Sequence, residues 1–244
     1  MAMLAGCVLG AFTPFAASAQ PAAGDKIIVL INPNSNAKTT ESMAGIATTV
    51  TNGIPVEGKS NEGVPPLLTT PQDLAAALPG VVKIGVEAAA DPRVGAIIVA
   101  AFGDPGLEEL RAKVTLPVFG IREQSFREAG RDGRPFGIAT TTPDPGLLES
   151  FRQTAEALGY GAQFRGTRAT PGDPNELMNK SAEELDAALA GVVRDSMADG
   201  AEAVIIGGGP LTASALRLQP QFDIPLVVPV IAAAQAAAKA VNGE

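Results

Sequence analysis

The chain repeats its own plan, and that repetition limits the folds open to it. Val94 to Ile121, VGAIIVAAFGDPGLEELRAKVTLPVFGI, returns in outline as Ala201 to Val230, AEAVIIGGGPLTASALRLQPQFDIPLVVPV. Each copy opens with an unbroken apolar run, Ala96-Ile97-Ile98-Val99 or Ala203-Val204-Ile205-Ile206. Each then crosses small residues and a Gly-Pro corner, makes a short helix, and ends in a Pro-led apolar strand. Continuous β-branched runs suit strands buried on both faces, and such strands are parallel and covered by helices. Ligands of open parallel sheets sit beyond the carboxyl ends of the strands. The corners Phe102 to Leu107 and Gly207 to Leu211 are therefore the places to expect a site.

The duplication extends outward. Lys26 to Ile31 is a buried strand followed by the polar turn Asn32-Pro33-Asn34-Ser35-Asn36, and Phe136-Gly137-Ile138-Ala139 followed by Thr140-Thr141-Thr142-Pro143 resembles it. Asn34 and Ser35 are of the type that caps the next helix or, with that helix's free amides, holds a carboxylate. Thr70-Pro71 starts a helix carrying Leu74, Leu78, Val81 and Val82, with proline at the first helical position. Arg122 stands at a strand end, where it either clamps a carboxylate or pairs with Glu123 or a neighbouring acid. The helix after Pro143 buries Leu147, Phe151 and Ala155, a polar loop spans Thr170 to Asn175, and Ser181 with Glu184 forms a capping box. Two similar α/β halves follow: 25–121 with the terminal helix 229–244, and 122–228.

Charge and composition narrow the function. The 18 basic residues are outnumbered by 26 acidic ones, giving a net charge of -8 without a basic run, so nucleic acid is excluded as a partner. The first 24 residues carry no charge, are apolar to Phe15, and reach Ala17-Ser18-Ala19 before Gln20. That is the pattern of a secretory leader cleaved after Ala19, placing the protein in the periplasm or outside the cell; the alternative is a lipoprotein box at Leu4 to Cys7. No other run is apolar and long enough to span a bilayer. Cys7 is the single cysteine and histidine is absent, so cleavage leaves a chain without thiol nucleophiles, disulfides or imidazole bases. Neither zinc-ligand nor calcium-loop spacing occurs, so no metal and no cofactor is expected.

Ile31-Asn32-Pro33-Asn34-Ser35, Ala100 to Leu107 (AAFGDPGL), Gly137 to Thr141 and Gly200 to Gly207 together resemble the motifs of the aspartate/glutamate/hydantoin racemase family, in order, over nearly everything after Lys26. The resemblance implies an α/β fold of two pseudo-symmetric lobes, each a mostly parallel sheet flanked by helices, with a small carboxylate or hydantoin in the cleft between them. It also implies two cysteines, one per lobe, on opposite faces of the substrate's α-carbon, since inversion needs one group to remove a proton and another to deliver one. Those positions are Ala101 and Gly208 here. Asp104 is the candidate substitute base, with helix capping as its other role. Asn34, Ser35, Ala101, Phe102, Thr141, Thr142, Gly208 and Gly209 are the candidate binding residues. Two functions stay open: racemase or isomerase chemistry on an amino acid, hydantoin or related carboxylate without thiols, and a catalytically inactive exported binding or sensing module for a small carboxylate. A homo-oligomer fits either.

Overall fold

A computed structural model describes residues 26–244; the expected leader, its cleavage after Ala19 and the Cys7 alternative lie outside the described residues. The first half runs β1 (Ile27–Asn32), α1 (Ala37–Thr48), β2 (Val56–Ser60), α2 (Pro71–Ala89), β3 (Val94–Val99), α3 (Leu107–Arg111), β4 (Val118–Gly120) and α4 (Ile121–Ala129). The second runs β5 (Phe136–Thr140), α5 (Pro145–Ala157), β6 (Phe164–Ala169), α6 (Pro174–Met178), α7 (Ala182–Ala198), β7 (Ala203–Ile206), α8 (Thr212–Leu218), β8 (Leu226–Val227) and α9 (Pro229–Asn242). The strands form two four-stranded sheets, ordered β2-β1-β3-β4 and β6-β5-β7-β8. Every pairing is parallel. The identical order in the two sheets is the structural form of the internal repeat.

Each sheet is buried on both faces, as the unbroken apolar runs require. Along β1 and β3, Ile28, Leu30, Ala96 and Ile98 face Met43 and Ala47 of α1 and Ala233, Ala234 and Ala237 of α9. The alternate residues Val29, Ile31, Ile97 and Val99 face Val81 of α2 and Leu107 and Leu110 on the other side. The period of two thus separates two cores on one strand. In the second sheet, Val204 and Ile206 pack on Leu189 and Val193 of α7. Ile138, Ala203 and Ile205 pack on Phe126 of α4 and Phe151 and Ala155 of α5.

The two halves exchange helices. Although α4 follows directly from the first sheet, Phe126 and Ala129 lie in the core of the second. Conversely α9 follows the second sheet and buries its alanine face on the first. Small side chains on α9 let it approach β3 closely, which explains the Ala-rich tail. The helix starts are set by side chains: Thr70 with Asp73 and Ser181 with Glu184 form reciprocal capping boxes, and Asp144 caps α5. One helix was absent from the sequence expectation: α6, capped by Asp173 with Pro174 at its first turn, closes the segment expected as a plain polar loop. No helix among the described residues is long and apolar enough to cross a membrane.

Candidate functional site

A cleft opens where the carboxyl ends of the two sheets face each other, enclosing about 650 Å³ of empty space with its open mouth included. The turn after β1 contributes Asn34, the corner after β3 contributes Ala101 and Phe102, the turn after β5 contributes Thr141 and Thr142, and the corner after β7 contributes Gly208 and Gly209. The structure therefore brings these expected residues into one cavity. It leaves two others out. Ser35 is half-buried, is not a lining residue, and does not cap α1, a role taken by Asn36, whose side chain accepts from Thr39 N at 3.1 Å.

Asp104 faces a separate groove on the other side of its turn. Its Oδ1 accepts from Arg122 N at 3.0 Å and its Oδ2 from Glu123 N at 2.9 Å, so it caps α4 rather than the adjacent α3. The physical reason is the turn itself: φ of 47° at Asp104 swings the side chain away from α3 and over Gly120. A Cβ on Gly120 would meet that carboxylate at 2.3 Å, so glycine there is a requirement of packing. Burial pushes the Asp104 carboxyl up to about 6, against the opposing pull of Arg122 and the two backbone amides.

Arg122 neither clamps at the cleft nor pairs with Glu123. It lies on the Asp104 side, with Nη1 donating to Ser150 Oγ at 3.3 Å and Nε buried without a partner among the described residues. Glu123 is instead held by Arg111 at 2.6 Å and Arg127 at 2.8 Å. Burial works against its charged form, yet those two guanidinium groups hold its carboxyl below the ordinary value.

Among the described residues, the lining of the cleft contains no ionisable side chain. Its polar groups are neutral: the Asn34 amide, the hydroxyls of Thr140, Thr141 and Thr142, and backbone. Thr140 is internal to the frame, its Oγ1 donating to Gly207 O at 2.9 Å across the sheet and accepting from Thr142 N at 3.3 Å. Thr141 is buried, and its hydroxyl has no partner among the described residues. The Thr212 hydroxyl bonds Gly209 O at 2.7 Å, and Thr212 lies outside the lining. The apolar wall comes from Leu67, Leu68, Leu74, Leu147, Phe151 and Met178; Leu74, Leu147 and Phe151 were expected as helix core, and none of the six as cleft wall. The available signal was the apolar pair Leu67-Leu68 in a loop of Gly, Pro and charged residues.

The family profile described as Asp/Glu/Hydantoin racemase matches residues 28–237. The chain belongs to the Asp/Glu/hydantoin racemase family. It is 27% identical over 213 residues to a hydantoin racemase of Paenarthrobacter aurescens, covering 86% of this chain and 89% of the relative. A hydantoin racemase of Rhizobium meliloti is 28% identical over 216 residues, with 86% of each chain covered. Among solved structures, allantoin racemase from Klebsiella pneumoniae superposes with a TM-score of 0.80 at 26% identity, covering 89% of this chain and 88% of that one. Within this racemase-family cleft, Ala101 and Gly208 occupy the two positions where the resemblance implies thiols, and both are lining residues.

Proposed function

We propose that this racemase-family chain is a binding module for a small, uncharged, carbonyl-bearing ring of the hydantoin type, without proton-transfer catalysis. The observation that carries this reading is that, among the described residues, no ionisable side chain lines the cleft. A racemase must take a proton from one face and return it on the other. Neutral amides and hydroxyls without an adjacent base do not do this at a carbon acid. They do match carbonyl and N–H groups of a neutral ring, whereas a carboxylate sequestered there would lack a cationic side-chain partner. The hydantoin and allantoin racemases among its relatives support the ring class. The leader-type sequence pattern ending at Ala17-Ser18-Ala19 supports an exported location, which amino-terminal sequencing of the periplasmic fraction would test.

The competing reading is thiol-free racemase or isomerase chemistry with Asp104 as base. Its carboxyl is raised to about 6, a value suited to a base. Both of its oxygens are engaged by α4 amides, however, and it faces the groove behind the cleft. Proton NMR of hydantoin, allantoin and aspartate with the protein in deuterated water separates the two readings. Line-broadening of a ring compound with its α-proton signal intact is the expected result. Protein-dependent loss of an α-proton signal would establish catalysis and overturn the binding reading.

A further inference from the structure

The turn that carries Asn34 is held by a residue outside the cleft lining. Asn32, the last residue of β1, is fully buried. Its Nδ2 donates to Asn34 Oδ1 at 2.8 Å and to Thr40 Oγ1 at 2.9 Å, while its Oδ1 accepts from Asn34 N at 3.3 Å. Asn36 N donates to the same Asn34 Oδ1 at 2.9 Å. A backbone N–H needs an acceptor, so the Asn34 atom facing Asn36 must be oxygen, and the side-chain amide is oriented by that fact. With two donors on Oδ1, Asn34 is left with Nδ2, which has no partner among the described residues, at a position that lines the cleft.

We propose that Asn32 is a positioning residue that sets the polarity of the cleft. It holds Asn34 with its amide donor free, so that a bound molecule must present an acceptor oxygen at that wall. The inference rests on the reading of the cleft as a ligand site. The brace behind it is continuous. Thr40 Oγ1 shares a 2.7 Å hydrogen bond with Ser60 Oγ on β2. Asn61 N donates to Asn32 O at 3.0 Å and Asn34 O at 3.1 Å, and Asn61 Nδ2 ties Pro33 O to Ala77 O on α2. Turning the Asn34 amide would set its NH2 against the Asn32 NH2, which keeps Thr40 Oγ1 and Asn36 O as acceptors, and against Asn36 N–H, which would lose the acceptor it has, a costly arrangement.

The test is Asn32→Asp, which keeps the shape and the acceptor for Asn34 N but replaces the donor by an oxygen facing Asn34 Oδ1. Two probes are titrated by calorimetry: hydantoin, and 2,4-dithiohydantoin, the same ring with sulfur, a weak acceptor, in place of both carbonyl oxygens. The order of the Asn34 side-chain amide is read by 15N relaxation. The wild-type chain is expected to favour hydantoin by about tenfold, the value of one good hydrogen bond, with an Asn34 amide as ordered as the backbone. Asn34→Leu should bring the ratio near one. Asn32→Asp should do the same and loosen the amide, although residue 32 does not line the cleft. A variant that keeps both the ratio and the order overturns the proposal, as does a disordered Asn34 amide in the wild type. If the wild type binds neither probe while Asn32→Asp still loosens the amide, the positioning role stands and the ligand reading fails. Should Asn32→Asp not fold, Asn32→Ser removes the same donor and is read in the same way.

Discussion

The ring of Phe102 meets the ring of Phe151 edge-on, with centroids 5.0 Å apart and planes at 66°. Phe102 stands on the corner after β3 and Phe151 on α5, so this contact joins the two halves. Phe102 is 7% exposed and belongs to the core that includes Phe126, Phe136 and Ile138, yet it also lines the cleft. One side chain therefore serves as the staple between halves and as part of the site wall.

Truncating that staple should be felt globally. Phe102→Ala is expected to cost about 3–5 kcal/mol, the usual range for a buried phenylalanine, measured by urea unfolding. Phe102→Leu should cost less by filling part of the space. The opposing wall predicts a second variant: a Cβ on Gly207 would meet Phe102 Cε1 at 2.8 Å and Ile138 Cγ2 at 3.0 Å. Gly207→Ala should thus destabilise by about 1–3 kcal/mol through overpacking. A neutral Gly207→Ala would show that the two halves are not closed on each other as described.

Asp104 gives the chain a pH signature. Its carboxyl is raised from 3.8 to about 6 by burial. Between those values the folded state holds the proton more tightly than the unfolded state, so the stability this group adds is present below 3.8 and is lost as pH rises through about 6. The gap corresponds to about 3 kcal/mol. Asp104→Asn removes the titration with little change of shape. Denaturant unfolding from pH 4 to 7.5 should show the wild type losing stability relative to the variant over that window, with no further divergence above pH 7. Parallel curves would mean that the carboxyl titrates normally.

Much of this architecture was legible in the residues. Unbroken runs such as Ala96 to Val99 and Ala203 to Ile206 are strands because both faces meet helices, and the Ser181-Glu184 and Thr70-Pro71 signals set helix starts by local hydrogen bonds. The cleft residues on the corners were legible for the same reason, since strand ends in parallel sheets converge. What escaped were partnerships set by tertiary distance. Asp104 caps a helix beginning 17 residues later, and nothing local distinguishes that from capping α3. Leu147 and Phe151 read as helix core at spacings of four, and they are; only the closure of the second half over the first makes them cleft wall as well. Asn32 looked like part of a polar turn, because its burial depends on Thr40 and Ser60 arriving from α1 and β2.

Thr141 offers a direct probe of ligand contact. The residue is buried at the cleft, and its hydroxyl makes no hydrogen bond among the described residues, whereas Thr140 is committed to Gly207 O. Thr141→Val should weaken hydantoin binding by about 1–3 kcal/mol while leaving the unfolding midpoint nearly unchanged. Thr140→Val should instead lower stability, because it strands a buried carbonyl. Equal effects of the two on stability, or no effect of Thr141→Val on affinity, would remove Thr141 from the site.

The last prediction concerns the two positions that the family resemblance pairs with thiols. Ala101 is half-buried at the cleft, and exchanging its methyl for a thiol-bearing group extends toward open space, so Ala101→Cys should fold with a stability within about 1 kcal/mol of the wild type. Gly208 is tighter: a Cβ there would lie 3.3 Å from both Leu211 Cδ1 and Cγ, so Leu211 must give by a few tenths of an ångström. Gly208→Cys is therefore expected to be the costlier of the pair by urea unfolding. If the cleft binds a hydantoin-type ring between these residues, the double variant supplies a group on each face, and hydantoins with an exchangeable α-proton should lose its NMR signal in deuterated water. Each single variant should exchange the α-proton of only the enantiomer whose hydrogen faces its thiol and should not racemise it, since inversion needs a group on both faces. Exchange in the double variant and not in the wild type would tie proton transfer in this cleft to these two side chains. Exchange already present in the wild type would show that another group moves the proton, and the binding reading would fall with it.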